Sequence, residues 1–242
     1  MLYAADYEKS GILFNITNFN IQNIPIEIID FVDDDNGTKY VTDGTLFSYK
    51  LSNNYIVKNE IFKTNLPTPR IFSDFKFSNS QDDPFNSSNA AFSISNIDSS
   101  YEPITHFELY NSNNKLIQVY NKNNYKVSYI WGYNNSLIVA KLDNLEQSGI
   151  SSVLRSKLNK LQVHTTMDTP AKRSALKTLN DSIRANTPVG VMVTTYTHVP
   201  LVGVTSITDP NGLTTFYEYD GLGRLSMVRD HEGNILKKHD YH

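Results

Sequence analysis

The sequence predicts a mainly β protein: antiparallel hairpins laid side by side as a meander sheet, with a two-helix hairpin inserted. Three observations predict it. Tyr and Phe are abundant, 15 and 12 against a single Trp, and aromatic and β-branched residues suit the half-buried pleated surface of a strand. Short runs of these residues recur between clusters of Asn, Gly, Asp and Pro, which is strand chemistry punctuated by turn chemistry. One stretch departs from the pattern and places its apolar residues at spacings of three and four.

Up to about Asn144 the expected strands are IPIEIIDFV, GTLFSYKL, YIVKNEIF, THFELY, KLIQVY and YKVSYIWGY. Thr45 to Leu51 alternates as a half-buried strand does. Leu66 to Ser100, with three prolines and many Ser and Asn, reads as a long loop or a pair of irregular strands. Next, LEQSGISSVLRSKLNKLQ sets Ile150, Val153, Leu154, Leu158 and Leu161 on one helical stripe, with Arg155, Lys157 and Lys160 on other faces. Thr169 can cap a second helix and Pro170 can take its first position, with Leu176, Leu179 and Ile183 as its apolar stripe. Pro188 and Gly190 end it, and β-type sequence resumes at Val191. The expected division is therefore a β-rich region over 1–144, a helical hairpin insertion over 145–187, and β-hairpins over 188–242.

Composition narrows the function classes. A chain of 242 residues can bury a core as one large β domain or as two smaller domains. The net charge of -3 supplies no basic field for nucleic acid or an anionic membrane. With no cysteine, disulfides, thiolate metal sites and cysteine nucleophiles are excluded. MLYAADYEKS carries Asp6 and Glu8 before its first base, the wrong charge for a signal peptide, and no 18-residue apolar run follows. The expectation is a chain that neither inserts into a membrane nor carries its own export signal, and that needs no cofactor or metal.

Internal repetition is the strongest signal. A shift of 21 (230 - 209) superposes Asp209 on Asp230, Gly212 on Gly233, Val204 on Leu225 and Ile207 on Val228. A shift of 109 (219 - 110) brings a fainter copy at 105–144 into line: Phe107, Tyr110, Asn111, Asn114, Lys115, Leu116, Val119, Asn121 and Asn124 fall on Phe216, Tyr219, Asp220, Gly223, Arg224, Leu225, Val228, Asp230 and Gly233. Asn stands for Asp or Gly at the turns. Physically, Tyr217 and Tyr219 share one strand face. Asp heads each turn, where it can accept from backbone N–H groups, and Gly or Asn closes it with positive φ.

ITDPNGLTTFYEYDGLGRLSMVRDHEGNIL resembles the YD-repeat of the Rhs family. The positions that carry the resemblance are Asp209, Gly212, Thr215, Tyr217, Tyr219, Asp220, Gly223, Arg224, Leu225, Asp230 and Gly233. SYIWGYNNSLIVAKLDN and VTTYTHVPLVGVTSITDPNG are also similar to the last repeats of surface-exposed Rhs-like proteins of Bacteroidetes. The resemblance implies β-strand repeats that coil into sheets or hollow shells. It further implies a non-catalytic structural or interaction module, secreted or at the cell surface, whose partners are neighbouring repeats of a longer chain, another protein or a glycan. In polymorphic toxins and insecticidal toxin complexes such shells enclose a toxic domain.

Other chemistries are weighed against this. DPNGL, from Asp209 to Leu213, is similar to the motif at which paired aspartates release toxins by self-cleavage, which would make the chain a fragment of a toxin shell. Such chemistry needs two carboxylates sharing a proton, whereas the second copy reads DHEGN and nothing follows His242; a turn with Pro210 presetting φ is preferred. DDDNG, Asp33 to Gly37, has the alternate oxygen ligands of a calcium loop but also the Asn-Gly of a hairpin turn, which is preferred. His239 and His242 would split across the faces of a strand. Trp131 with Tyr129 and Tyr133 could stack on a sugar, the basis of a carbohydrate-binding alternative, although such alternation more often marks a buried strand face. Asp220 and Arg224 read as an ion pair bracing the turn.

Overall fold

The computed structural model describes residues 3–8, 11–19, 25–34, 36–53, 55–77, 97–163 and 169–241. The chain is mainly antiparallel β with two helices and divides into two compact units, Met1–Phe107 and Glu108–His242.

In the first unit β1 (Tyr3–Glu8), β2 (Gly11–Phe19), β3 (Pro25–Asp33), β4 (Lys39–Ser52) and β5 (Tyr55–Thr64) pair antiparallel in chain order. β5 then pairs with β7 (Tyr101–Tyr110), and the two-residue β6 (Arg70–Ile71) adds to β4. The period-two rule puts Glu27, Ile29 and Phe31 of β3 on the buried face, and Val41, Leu46 and Ser48 of β4 join them. The stretch from Leu66, expected as loop or irregular strands, continues past β6 into a 3₁₀ turn at Phe72–Asp74. Phe75 and Phe77 then drop into the core, packed edge-on with each other at 5.2 Å. Residues 78–96 of that stretch lie outside the described residues. The buried Glu27 carboxylate accepts from the Tyr101 hydroxyl at 2.9 Å, and burial beside that carboxylate raises the Tyr101 hydroxyl far above the ordinary phenol range.

The second unit contains β8 (Leu116–Asn121), β9 (Lys126–Gly132), β10 (Leu137–Asp143), α1 (Ser152–Asn159), α2 (Pro170–Ala185), β11 (Met192–Val199), β12 (Gly203–Thr208), β13 (Thr214–Tyr219), β14 (Leu225–Arg229) and β15 (Ile235–Lys238). Each strand pairs antiparallel with the next, so the helices fill the connection between β10 and β11. The second helix starts on the expected signal, and the first on a cap of the same kind. Ser151 accepts from the Leu154 N–H at 3.1 Å and caps α1, and Thr169 accepts from the Lys172 N–H at 3.3 Å with Pro170 opening α2.

Leu154, Leu158, Leu161, Leu176 and Ile183 from the helical segment meet Ile130, Val139, Leu142, Val193 and Phe216 from the sheet in one core. Val153, expected on the same stripe, is instead exposed: with Leu154 and Leu158 facing the core, Val153 is rotated by about 100° from Leu154 and points aside. A polar stitch crosses the apolar contact. Thr195 donates to the buried Asn180 amide oxygen at 2.6 Å, the amide NH₂ donates to Thr208 at 3.0 Å, and Thr208 and Thr214 are 2.9 Å apart. Thr195, Thr208 and Thr214 are directly paired across β11, β12 and β13, so one helical asparagine is held against one row of the sheet.

The repeat turns as the candidate functional site

Among the described residues six turns share one construction, headed by Asp34, Asn111, Asn121, Asp209, Asp220 and Asp230. In each, the head N–H donates to the carbonyl of the fifth residue, and the fourth residue's N–H donates back to the head carbonyl. The head side chain also accepts from the fifth residue's N–H: Thr38 at 2.7 Å, Lys115 at 3.0 Å, Tyr125 at 3.1 Å, Leu213 at 2.8 Å, Arg224 at 2.9 Å and Asn234 at 2.8 Å. The fourth residue is left-handed every time, with φ of 77° at Gly37, 56° at Asn114, 57° at Asn124, 90° at Gly212, 75° at Gly223 and 94° at Gly233. Gly and Asn are the residues that tolerate this region at low cost.

The candidate residues fall within this scheme. Asp209, Asp220 and Asp230 head turns, and Gly212, Gly223 and Gly233 close them. Tyr217 and Tyr219 lie on β13, and Leu225 opens β14 opposite Tyr219. The Tyr219 hydroxyl donates to the Val204 carbonyl at 2.9 Å. Arg224 pairs with Asp220 at 2.7 Å, its side chain half exposed, and its guanidinium lies 4.3 Å from the ring centre of Tyr241. The glycines differ in their surroundings. A Cβ at Gly223 would meet nothing within 4 Å, whereas one at Gly233 would lie 2.8 Å from the Arg173 guanidinium of α2.

The residues weighed for other chemistry have specific partners. Asp34 of DDDNG accepts from the Asn36 and Thr38 backbone in the shared turn. Asp209 accepts from Leu213, and its carbonyl accepts from Arg184 of α2. On β9 the buried face is Ser128, Ile130 and Gly132, with Tyr129 and Trp131 half buried on the other, so the alternation is present in the opposite phase to a buried Trp131 face. The helices and Leu145 supply the cover that decides the phase: Ile130 joins the helix core, and Ser128 donates to the Leu145 carbonyl at 2.8 Å. The Trp131 indole N–H donates to the Leu116 carbonyl at 2.7 Å, and Lys115 stands 5.5 Å from its ring centre. His239 stacks on Tyr241 at 6.3 Å between ring centres; His242 lies outside the described residues.

Hydrogen bonding lowers the carboxyl pKa of two turn heads. The Arg224 backbone N–H, followed by the Arg224 guanidinium and the Leu222 N–H, holds Asp220 below the usual range. The Asn234 side chain and the Asn234 and Glu232 N–H groups do the same for Asp230. A depressed carboxylate stabilises the fold above its unfolded pKa of about 3.9, and that contribution is lost as pH falls through the lower folded value. Asn heads the same turn at 111 and 121 without titrating. Asp220→Asn is therefore expected to keep most of its stability at pH 7 and to lose less than the parent on acidification, as read from urea midpoints at pH 7 and pH 3.

The RHS Repeat family matches residues 202–235, so the resemblance read from the YD motif is borne out over that stretch. A search of curated proteins finds no match. Among solved structures the chain is similar to TcdB2-TccC3 without its hypervariable C-terminal region, at 9% identity, covering 95% of this chain and 9% of that one with a TM-score of 0.42. It is also similar to the Photorhabdus luminescens Tc holotoxin pore carrying TccC3-D651A, at 10% identity, covering 95% of this chain and 9% of that one with a TM-score of 0.40. The chain thus spans about a tenth of the length of these structures.

Proposed function

We propose that this chain, which carries an RHS repeat, is a non-catalytic structural or interaction module of a secreted or cell-surface YD-repeat protein: a section of β wall whose partners are neighbouring repeats of a longer chain or a docked protein. In this reading 188–242 supplies the repeat hairpins, 105–144 a degenerate copy, and 145–187 an inserted brace. The observation that carries it is the use made of the motif's polar groups. Within the matched stretch the carboxylates of Asp209, Asp220 and Asp230 accept from the backbone of their own turns, and the Tyr219 hydroxyl is given to a neighbouring strand. These side chains hold the wall's edges rather than converging on a ligand. The same economy supports reading Asp209 as a turn residue rather than a cleavage residue.

The carbohydrate-binding alternative makes Trp131 its platform and so offers a direct test. On a glycan array the parent chain is expected to show no specific signal that Trp131→Ala removes, with near-UV circular dichroism confirming that both proteins are folded. Saturable binding of a defined glycan, lost in Trp131→Ala, would overturn the structural reading.

A further inference from the structure

Three aromatic side chains of the second unit make the same contact. The Trp131 N–H donates to the Leu116 carbonyl at 2.7 Å, the Tyr219 hydroxyl to Val204 at 2.9 Å and the Tyr241 hydroxyl to Leu225 at 2.9 Å. The separations are nearly constant: 131 - 116 and 219 - 204 are both 15, and 241 - 225 is 16. Each acceptor lies in the first two residues of a strand leaving a turn; the donors Trp131 and Tyr219 lie on the returning strand, and Tyr241 lies three residues past the end of β15. The bond therefore closes the hairpins β8–β9, β12–β13 and β14–β15 at the end opposite their own turns, which begin at Asn121, Asp209 and Asp230.

The residue before the acceptor faces the ring in all three cases. Lys115 Nζ is 5.5 Å from the Trp131 ring centre, and Arg224 Cζ is 4.3 Å from that of Tyr241. At the third site Gly203 takes this place, and a Cβ there would lie 2.5 Å from the Tyr219 hydroxyl and 2.8 Å from its ring carbon. We infer that the residue just before each acceptor is the seat of an aromatic clasp at the open end of the hairpin, occupied either by a cation held over the ring or by a glycine that lets the ring lie on the backbone. Arg224 then has a second duty beside its pair with Asp220: it positions Tyr241, just past the strand that follows. Lys115 and Trp131 are the equivalent pair in the degenerate copy, which assigns Trp131 an internal role. A bulky apolar residue at this position would fit neither form.

The inference rests on reading the chain as a structural module, and native-state hydrogen exchange on the full chain tests it separately. Arg224→Ala is expected to speed amide exchange from Ile235 to His239 about two- to fivefold, the scale of an exposed cation–π contact. Tyr241→Leu should speed it at least as much, and the double variant no more than Tyr241→Leu alone. At the glycine form, Gly203→Ala should speed exchange in β12 and β13 in the parent and have little effect in a Tyr219→Leu background. An Arg224→Ala effect that is the same with and without Tyr241, or confined to amides 220–224, would leave Arg224 as a brace for Asp220 and overturn the clasp. Glycan binding lost in Trp131→Ala would instead sink the structural-module reading, and would leave the exchange results at Arg224 and Tyr241 unaffected.

Discussion

Leu158→Ala is expected to lower the unfolding free energy by about 2–5 kcal/mol, the range for truncating a buried leucine that leaves a partly unrelaxed cavity. Leu158 is fully buried in the core that α1 and α2 form on the sheet, beside Leu154 and Leu161. α1, with 8 residues, is too short to be stable alone in water, α2, with 16, is only just past that limit, and most of the stability of both comes from this apolar contact. Against a typical total of about 5–15 kcal/mol for a domain, the loss is a large fraction. Trp131 lies in the second unit, and its fluorescence during urea unfolding reports the transition that should move to lower urea. An unchanged midpoint would mean that the helices contribute little to holding this unit together.

Tyr219→Ala is the largest effect expected within the repeat motif, about 2–3 kcal/mol, reduced from the value for a fully buried aromatic because the ring is half covered. The substitution removes the bond to the Val204 carbonyl and empties the space over Gly203. Tyr219→Phe separates the two contributions: it keeps the ring and loses the hydroxyl, and should cost about 1 kcal/mol. The same urea titration reads both variants. Equal costs for Ala and Phe would place the whole effect in the hydrogen bond.

The parts of the fold set by local chemistry were legible in the sequence. Thr169 before Pro170, followed by an apolar stripe at helical spacing, marks a helix start, and Asn, Asp and Gly clusters between aromatic runs mark strand ends. What sequence could not supply depends on groups brought together from a distance. Whether Trp131 or Ile130 faces inward depends on which side of β9 the helices cover, a one-residue difference of phase that an alternating stretch leaves open. Val153 sits outside its expected stripe because Leu154 and Leu158 take the face that meets the sheet, and the residue beside Leu154 is turned about 100° away from it. Asp34 presented a metal-like spacing and a turn-like spacing at once, since an Asx head offers the same oxygen to a cation or to backbone N–H groups. Trp131 and Leu116 meet across neighbouring strands, at a separation that has no meaning until the hairpin is formed. Asn180 showed no signal at all: a single amide on a helix reads as solvated until the threonine row beneath it is seen.

Whether the YD motif is architecture or a recognition site is decided by urea midpoints of Gly223→Val, Tyr219→Ala and Arg224→Ala measured side by side. Gly223 holds φ at 75° with open space around its Cβ position, so valine there is opposed by backbone strain alone, about 1–3 kcal/mol. Arg224 is half exposed in its pair with Asp220, and such pairs contribute little. Large losses are expected for Tyr219→Ala and Gly223→Val and the smallest for Arg224→Ala. Unchanged midpoints for the first two, together with loss of binding to a partner in Arg224→Ala, would contradict the architectural reading.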